Sequence, residues 1–110
     1  MPQLFISAVR NVTDNNTVFF FAEKLKDRIF KILPLKEEGN SYLMEYIDSL
    51  IIEMMGGYIT FPELKSDMEY LRVINTLQYI LHNDISVVKC KREVFKSIRC
   101  LNNIIDQKTR

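Results

Sequence analysis

The sequence predicts an all-α fold: a compact single domain over residues 1–110, a bundle of four to five helices around a buried central helix at about residues 41–55. Three observations lead there. The stretch Ser41 to Met55, SYLMEYIDSLIIEMM, carries Glu45, Asp48 and Glu53 on or near one side of a helix and is apolar round most of its circumference. A helix of that kind is buried on two or three sides. Leu, Ile, Met, Glu and Lys are plentiful while the chain holds only three Gly and three Pro, which favours helix. No Asn-Gly or Asp-Gly lies between alternating apolar runs, so no hairpin is signalled.

The elements follow in order. Leu4, Phe5, Ala8, Val9 and Val12 at helical spacing predict a short first helix over Gln3 to Asn11. The polar run from Asn11 to Thr17 then competes for its own backbone and breaks it. A second helix runs from Asn16 or Thr17 to about Leu33, with Phe19, Phe20, Ala22, Leu25, Ile29, Ile32 and Leu33 as its stripe and Pro34 as its stop. Lys36 to Asn40 is a loop, Asn40 or Ser41 caps the central helix, and Gly56-Gly57 ends it. Pro62 to Leu64 makes a short turn. Ser66 and Glu69 then fit a capping box that opens a helix to His82, with two overlapping apolar sets, Met68, Leu71, Ile74, Leu77, Leu81 and Tyr70, Val73, Leu77, Ile80. Ser86 starts a last helix to about Gln107, carrying Val87, Val88, Val94, Phe95, Ile98, Leu101, Ile104 and Ile105. Ile85 to Val88 also fits a few extended residues, because β-branched runs are locally ambiguous.

At 110 residues the chain is long enough to bury roughly two-thirds of its unfolded surface without staples. Hydrophobic content of 47% and charged content of 26% describe an ordered globular chain. No apolar run approaches the roughly 18 to 20 residues of a membrane span. MPQLFISAV has no basic residue ahead of its apolar run and reads as no secretory signal, so the expectation is a soluble cytoplasmic protein without a membrane partner. In that setting the triplets Asn11-Val12-Thr13 and Asn15-Asn16-Thr17 are not glycosylation sites. Cys90 and Cys100 sit ten residues apart on one helix, about 15 Å, too far for a disulfide, and are expected reduced.

Catalytic residues do not assemble. His82, the one histidine, falls at a helix C-terminus, where it serves the free carbonyls. His82, Cys90 and Cys100 lack the close pairs of a zinc motif, and Glu45, Asp48 and Glu53 lack the histidines of a carboxylate-bridged metal site. Gly56-Gly57 has no phosphate-loop spacing. The expectation is a protein that is not an enzyme and holds no metal or cofactor.

Charge is the informative layout. Residues 1–36 carry six bases against three acids, residues 37–69 carry eight acids against Lys65 alone, and residues 70–110 carry eight bases against three acids. The acids Glu37, Glu38, Glu45, Asp48, Glu53, Glu63, Asp67 and Glu69 are the candidate surface for a basic protein partner, and an ordinary solvated face competes with that reading. On the last helix Lys89, Lys91, Arg92, Lys96 and Arg99 are the candidate nucleic-acid contacts, Arg92, Lys96 and Arg99 sharing one face. Phe19-Phe20-Phe21 exceeds what one stripe needs, and is either wedged between neighbours or an aromatic surface buried in a larger assembly.

The stretch Gly56-Gly57-Tyr58-Ile59-Thr60-Phe61-Pro62-Glu63-Leu64, followed by Tyr70-Leu71-Arg72-Val73-Ile74-Asn75-Thr76-Leu77, resembles the small helical immunity proteins that bacteria pair with contact-dependent growth-inhibition toxins. The likeness covers roughly the middle third of the chain. It implies a cytoplasmic, non-enzymatic protein that binds one toxin domain, often a nuclease, in a stoichiometric complex. The alternative from another class is a small nucleic-acid-binding regulator that uses the basic last helix.

Overall fold

The computed structural model describes residues 17–108, and all of its regular structure there is helical. Helix α1 occupies residues 17–30. It is followed by α2 (Ile32–Glu37), α3 (Leu43–Thr60), α4 (Pro62–Lys65), α5 (Met68–His82) and α6 (Val87–Lys108). The helix expected over Gln3 to Asn11 and most of the asparagine-rich run after it lie outside the described residues.

Pro34 does not stop the second helix; the break comes three residues earlier. Lys31 donates to the Arg28 carbonyl in a tight turn of 3.2 Å, and α2 restarts with Pro34 inside its first turn. A first-turn N–H has no intrahelical partner, so proline loses nothing there. The end of α2 is a Schellman closure: Gly39, at φ +64°, donates to Lys36 and Asn40 donates to Leu35, at 3.1 and 3.0 Å. Asn40 then turns the chain by accepting from the Tyr42 N–H at 2.8 Å, rather than capping α3 itself.

Helix α3 runs through Gly56-Gly57 to Thr60. Its stop is Pro62, which holds Phe61 in an extended conformation at φ −107°, ψ 107°. Gly57 has a packing role instead. A Cβ there would press into the Phe21 ring and come within 2.6 Å of the Tyr70 hydroxyl, which itself donates to the Met54 carbonyl at 2.5 Å. The cap of α5 is Asp67, not Ser66: its carboxylate accepts from the N–H groups of Glu69 and Tyr70 at 2.9 and 3.1 Å. Ser86 does open α6, accepting from the Lys89 N–H at 3.1 Å.

α5 packs against both α3 and α6, and α2 also touches both. α1 lies on α3 through Arg28 and Phe21, and reaches α6 where Phe30 meets Phe95 edge-on at 5.8 Å. The core draws Leu25 and Ile29 from α1, Ile47, Leu50 and Met54 from α3, Tyr70, Val73 and Leu77 from α5, and Cys90, Val94, Leu101 and Ile104 from α6. On α5 the set Tyr70, Val73, Leu77, Ile80 is buried throughout, and of the other set Ile74 is buried too, Leu71 and Leu81 are half-buried and Met68 is exposed. The α6 seam runs Cys90, Val94, Ser97, Leu101, Ile104, leaving Val87, Val88 and Phe95 outside it. Those seam residues recur at alternating steps of four and three, the interval of helices packed at a shallow angle.

Candidate protein-binding face

Seven of the eight acids of the middle segment separate into two groups, and Glu63 stands between them. Glu37, Glu38, Glu45 and Asp48 are exposed around the α2–α3 turn and the first half of α3. Glu53, Asp67 and Glu69 serve internal contacts. Glu53 meets the Arg28 guanidinium, which also stands 5.7 Å from the Tyr46 ring centroid and reaches Ser49 at 3.5 Å. Asp67 is the buried cap of α5. Glu69 lies on the α5–α6 seam, 3.3 Å from Arg72 and 3.4 Å from the Asn103 amide. The Cys100 thiol first, then Asn103, hold its carboxyl below the ordinary value. Glu63, in the first turn of α4, is partly covered.

Among the described residues, neighbours cover α3 on two sides, α1 with α2 and α5, and the third side is open. Met44, Asp48, Ile52, Met55 and Ile59 follow one another at steps of four, four, three and four, so they form one stripe along the helix. The four apolar members are exposed by 53%, 65%, 44% and 70%. Glu45 and Gly56 border the same stripe. Sequence reading marked Glu45 and Asp48 and missed these apolar residues, although the signal was present in a helix apolar all round.

Lys89, Arg92, Lys96 and Arg99 are exposed on α6, with Lys91. Lys96 reaches Glu93 at 3.8 Å and the Lys89 ammonium stands 5.3 Å from the Tyr79 ring centroid, while Arg92 and Arg99 have no ion pair among the described residues. Phe20 is exposed, whereas Phe21 packs on Phe61 with centroids 5.2 Å apart.

His82 stands exposed in the last turn of α5, but the side chain that serves a carbonyl there is Asn83, whose amide donates to Tyr79 at 2.9 Å. His82 lines a half-open cleft of about 240 Å³ with Lys36, Met44 and Asp84. Cys90 and Cys100 are free and buried. Burial pushes the Cys90 thiol up, and burial together with the Glu69 carboxylate raises Cys100 to about 11, so both are neutral thiols at pH 7. Among the described residues no group of three His, Cys, Asp or Glu is placed to hold a metal ion, and no helix is long and apolar enough to cross a membrane.

Compared with known proteins, the chain matches no family model, no curated protein and no solved structure. Fold and surface alone define its class: a small all-α bundle in which an acidic, apolar helix face and a basic helix face stand on different helices packed against α5.

Proposed function

We propose that the protein is a cytoplasmic immunity or inhibitor protein of bacterial type, which neutralises a toxin domain by forming a stoichiometric complex with it and catalyses nothing. The observation that carries this reading is the outward placement of Glu37, Glu38, Glu45 and Asp48 beside the exposed apolar stripe of α3. An acidic surface with apolar residues suits a nuclease toxin, whose substrate groove is basic. Opposite charge speeds encounter and sets orientation, while apolar burial slows release.

The test is affinity co-purification of the tagged protein from its native cells, with bound protein and nucleic acid identified at low and high salt. The expected result is one basic protein, held stoichiometrically and harmful to cells when expressed alone. Lysine at Glu37, Glu38, Glu45 and Asp48 should weaken its capture at least about tenfold, the cost of setting like charges against each other across a contact. Unchanged capture by that variant refutes the assignment of the acids. Asp67 is no part of this test, because its reversal would uncap α5.

A second reading, a nucleic-acid-binding regulator, is favoured by Arg92 and Arg99, which have no ion pair among the described residues and share one exposed arc of α6 with Lys96. It requires recovered nucleic acid that is shed as salt rises and is lost when Arg92, Lys96 and Arg99 become Ala.

A further inference from the structure

We propose that the outward stripe of α3, Met44, Ile52, Met55 and Ile59 with Glu45 and Asp48, is the docking surface for an amphipathic helix of a partner protein. That helix is apolar on its contact side and flanked by lysine or arginine. The proposal rests on the protein-binding reading above and specifies the contact it uses.

A helix with water on one side ordinarily carries polar residues there, because apolar side chains on that side contribute nothing to the core. α3 instead presents large aliphatic and thioether side chains from Met44 to Ile59, 16 residues and about 22 Å of helix, with Asp48 as the only polar member of the stripe. Isolated exposed apolar residues are ordinary; a continuous line of them on one helix marks a contact.

Gly56 is a second, independent observation. Its neighbour Gly57 is required by the approach of Phe21 and Tyr70, but a Cβ at Gly56 would meet nothing within 4 Å. The fold has no use for a glycine at this mid-helix position, where it weakens the helix. It lies one turn beyond Ile52 and borders the stripe, where the missing side chain leaves a notch in the outer surface of α3. A backbone or a large side chain of a facing helix fits such a notch.

Charge selects the occupant. No Lys, Arg or His occurs between Leu43 and Thr60, and with Glu53 held by Arg28, the outward charges of α3 are Glu45 and Asp48, both negative. Basic flanks on the incoming helix complement them. A second copy docked α3 to α3 about a two-fold axis would bring four carboxylates into one interface with no bases from either α3. The α6 of a second copy also carries apolar and basic side chains on one arc, Val88, Arg92, Phe95 and Arg99, and a contact of that kind is read as self-association in the experiment below.

The experiment uses the full chain and labelled peptides of about 18 residues, one of Leu and Lys in amphipathic helical register and one with Glu in place of each Lys, read by fluorescence anisotropy. The Leu/Lys peptide is expected to bind at least about tenfold more tightly than the Leu/Glu peptide. The double substitution Ile52→Gln with Ile59→Gln should weaken its binding at least about tenfold with an unchanged thermal melt, since both side chains are exposed. Gly56→Leu should raise the melting temperature and yet weaken binding, a combination that a purely structural role does not produce. Arg92→Glu with Arg99→Glu should leave binding of the Leu/Lys peptide no weaker.

Equal affinity for the two peptides, or native affinity in the Ile52/Ile59 variant, overturns the proposal. So does concentration-dependent self-association of the native chain that this variant abolishes, which assigns the stripe to a second copy. Peptide binding as expected, with no cellular protein captured, upholds the docking face and refutes the immunity reading instead.

Discussion

Gly56 and Gly57 are adjacent and identical in one helix, and replacing each by alanine should move stability in opposite directions. Either change gains the helix propensity that glycine lacks, about 0.5–1 kcal/mol. At Gly56 that gain is the whole effect, because the new methyl meets nothing within 4 Å. At Gly57 the methyl collides with the Phe21 ring and comes within 2.6 Å of the Tyr70 hydroxyl. Forcing a methyl into a packed site costs about 1–3 kcal/mol. If Tyr70 must also leave the Met54 carbonyl, now 2.5 Å away, a further loss of about 1 kcal/mol follows. The net for Gly57→Ala is a loss of about 1–3 kcal/mol, against a gain of up to about 1 kcal/mol for Gly56→Ala. Urea unfolding followed by circular dichroism at 222 nm measures both, with m-values unchanged if only the native state is affected. Shifts of the same sign in the two variants would refute the reasoning. Shortening Phe21 to Leu should recover part of the Gly57→Ala loss, since the ring is what the methyl strikes.

The helix start at α5 offers a second paired test: Asp67→Ala should cost about 1–2 kcal/mol, because two N–H groups lose their acceptor, while Ser66→Ala is near neutral in the same urea titration. Arg28→Met should lower stability by about 1–2 kcal/mol, discounted for partial exposure, since Glu53 loses the guanidinium that meets it and Tyr46 loses the cation beside its ring. A Glu53→Gln partner variant completes a double-mutant cycle for that contact. Stability should also depend on alkaline pH. Cys100, raised to about 11, and Cys90 keep their protons in the folded chain, whereas unfolded thiols ionise near about 8.5. Their contribution is complete below about pH 8.5 and declines as pH rises towards 11, with Tyr70, also raised by burial, adding to the decline above about 10. Urea midpoints should therefore fall between pH 8.5 and 10, by about 1–2 kcal/mol in stability, and Cys100→Ser should flatten the slope.

The helical class, the regions of α1, α3, α5 and α6 and the Ser86 start were legible because they depend on local signals, whereas α2, which carries Pro34 in its first turn, was read as a helix end and a loop. Where reading failed, a local rule met a tertiary competitor. Gly56-Gly57 carries the pattern of a helix end, yet Phe61-Pro62 a few residues later ends α3, and Gly57 serves the approach of Phe21 and Tyr70. Ser66 and Glu69 have capping-box spacing, yet Asp67 is the cap and Glu69 turns to Arg72 and Asn103. Of the candidate acids, sequence supplied the identities but not the division of labour. Whether a carboxylate faces solvent or an arginine depends on a contact as distant as Arg28 to Glu53.

By itself the sequence determined that this chain is helical, that a helix apolar on almost every side lies at about residues 41–55, and that acids cluster in the middle with bases on both flanks. Periodicity, breakers and charge are properties of neighbouring residues, so they are readable along the chain. Only the tertiary structure decided which arc of α3 meets α1, α2 and α5 and which arc is left uncovered. The apolar pattern of α3 is nearly the same on both sides, so burial was chosen by the partners that the rest of the fold brings against it, through the notch at Gly57 and the Arg28–Glu53 pair.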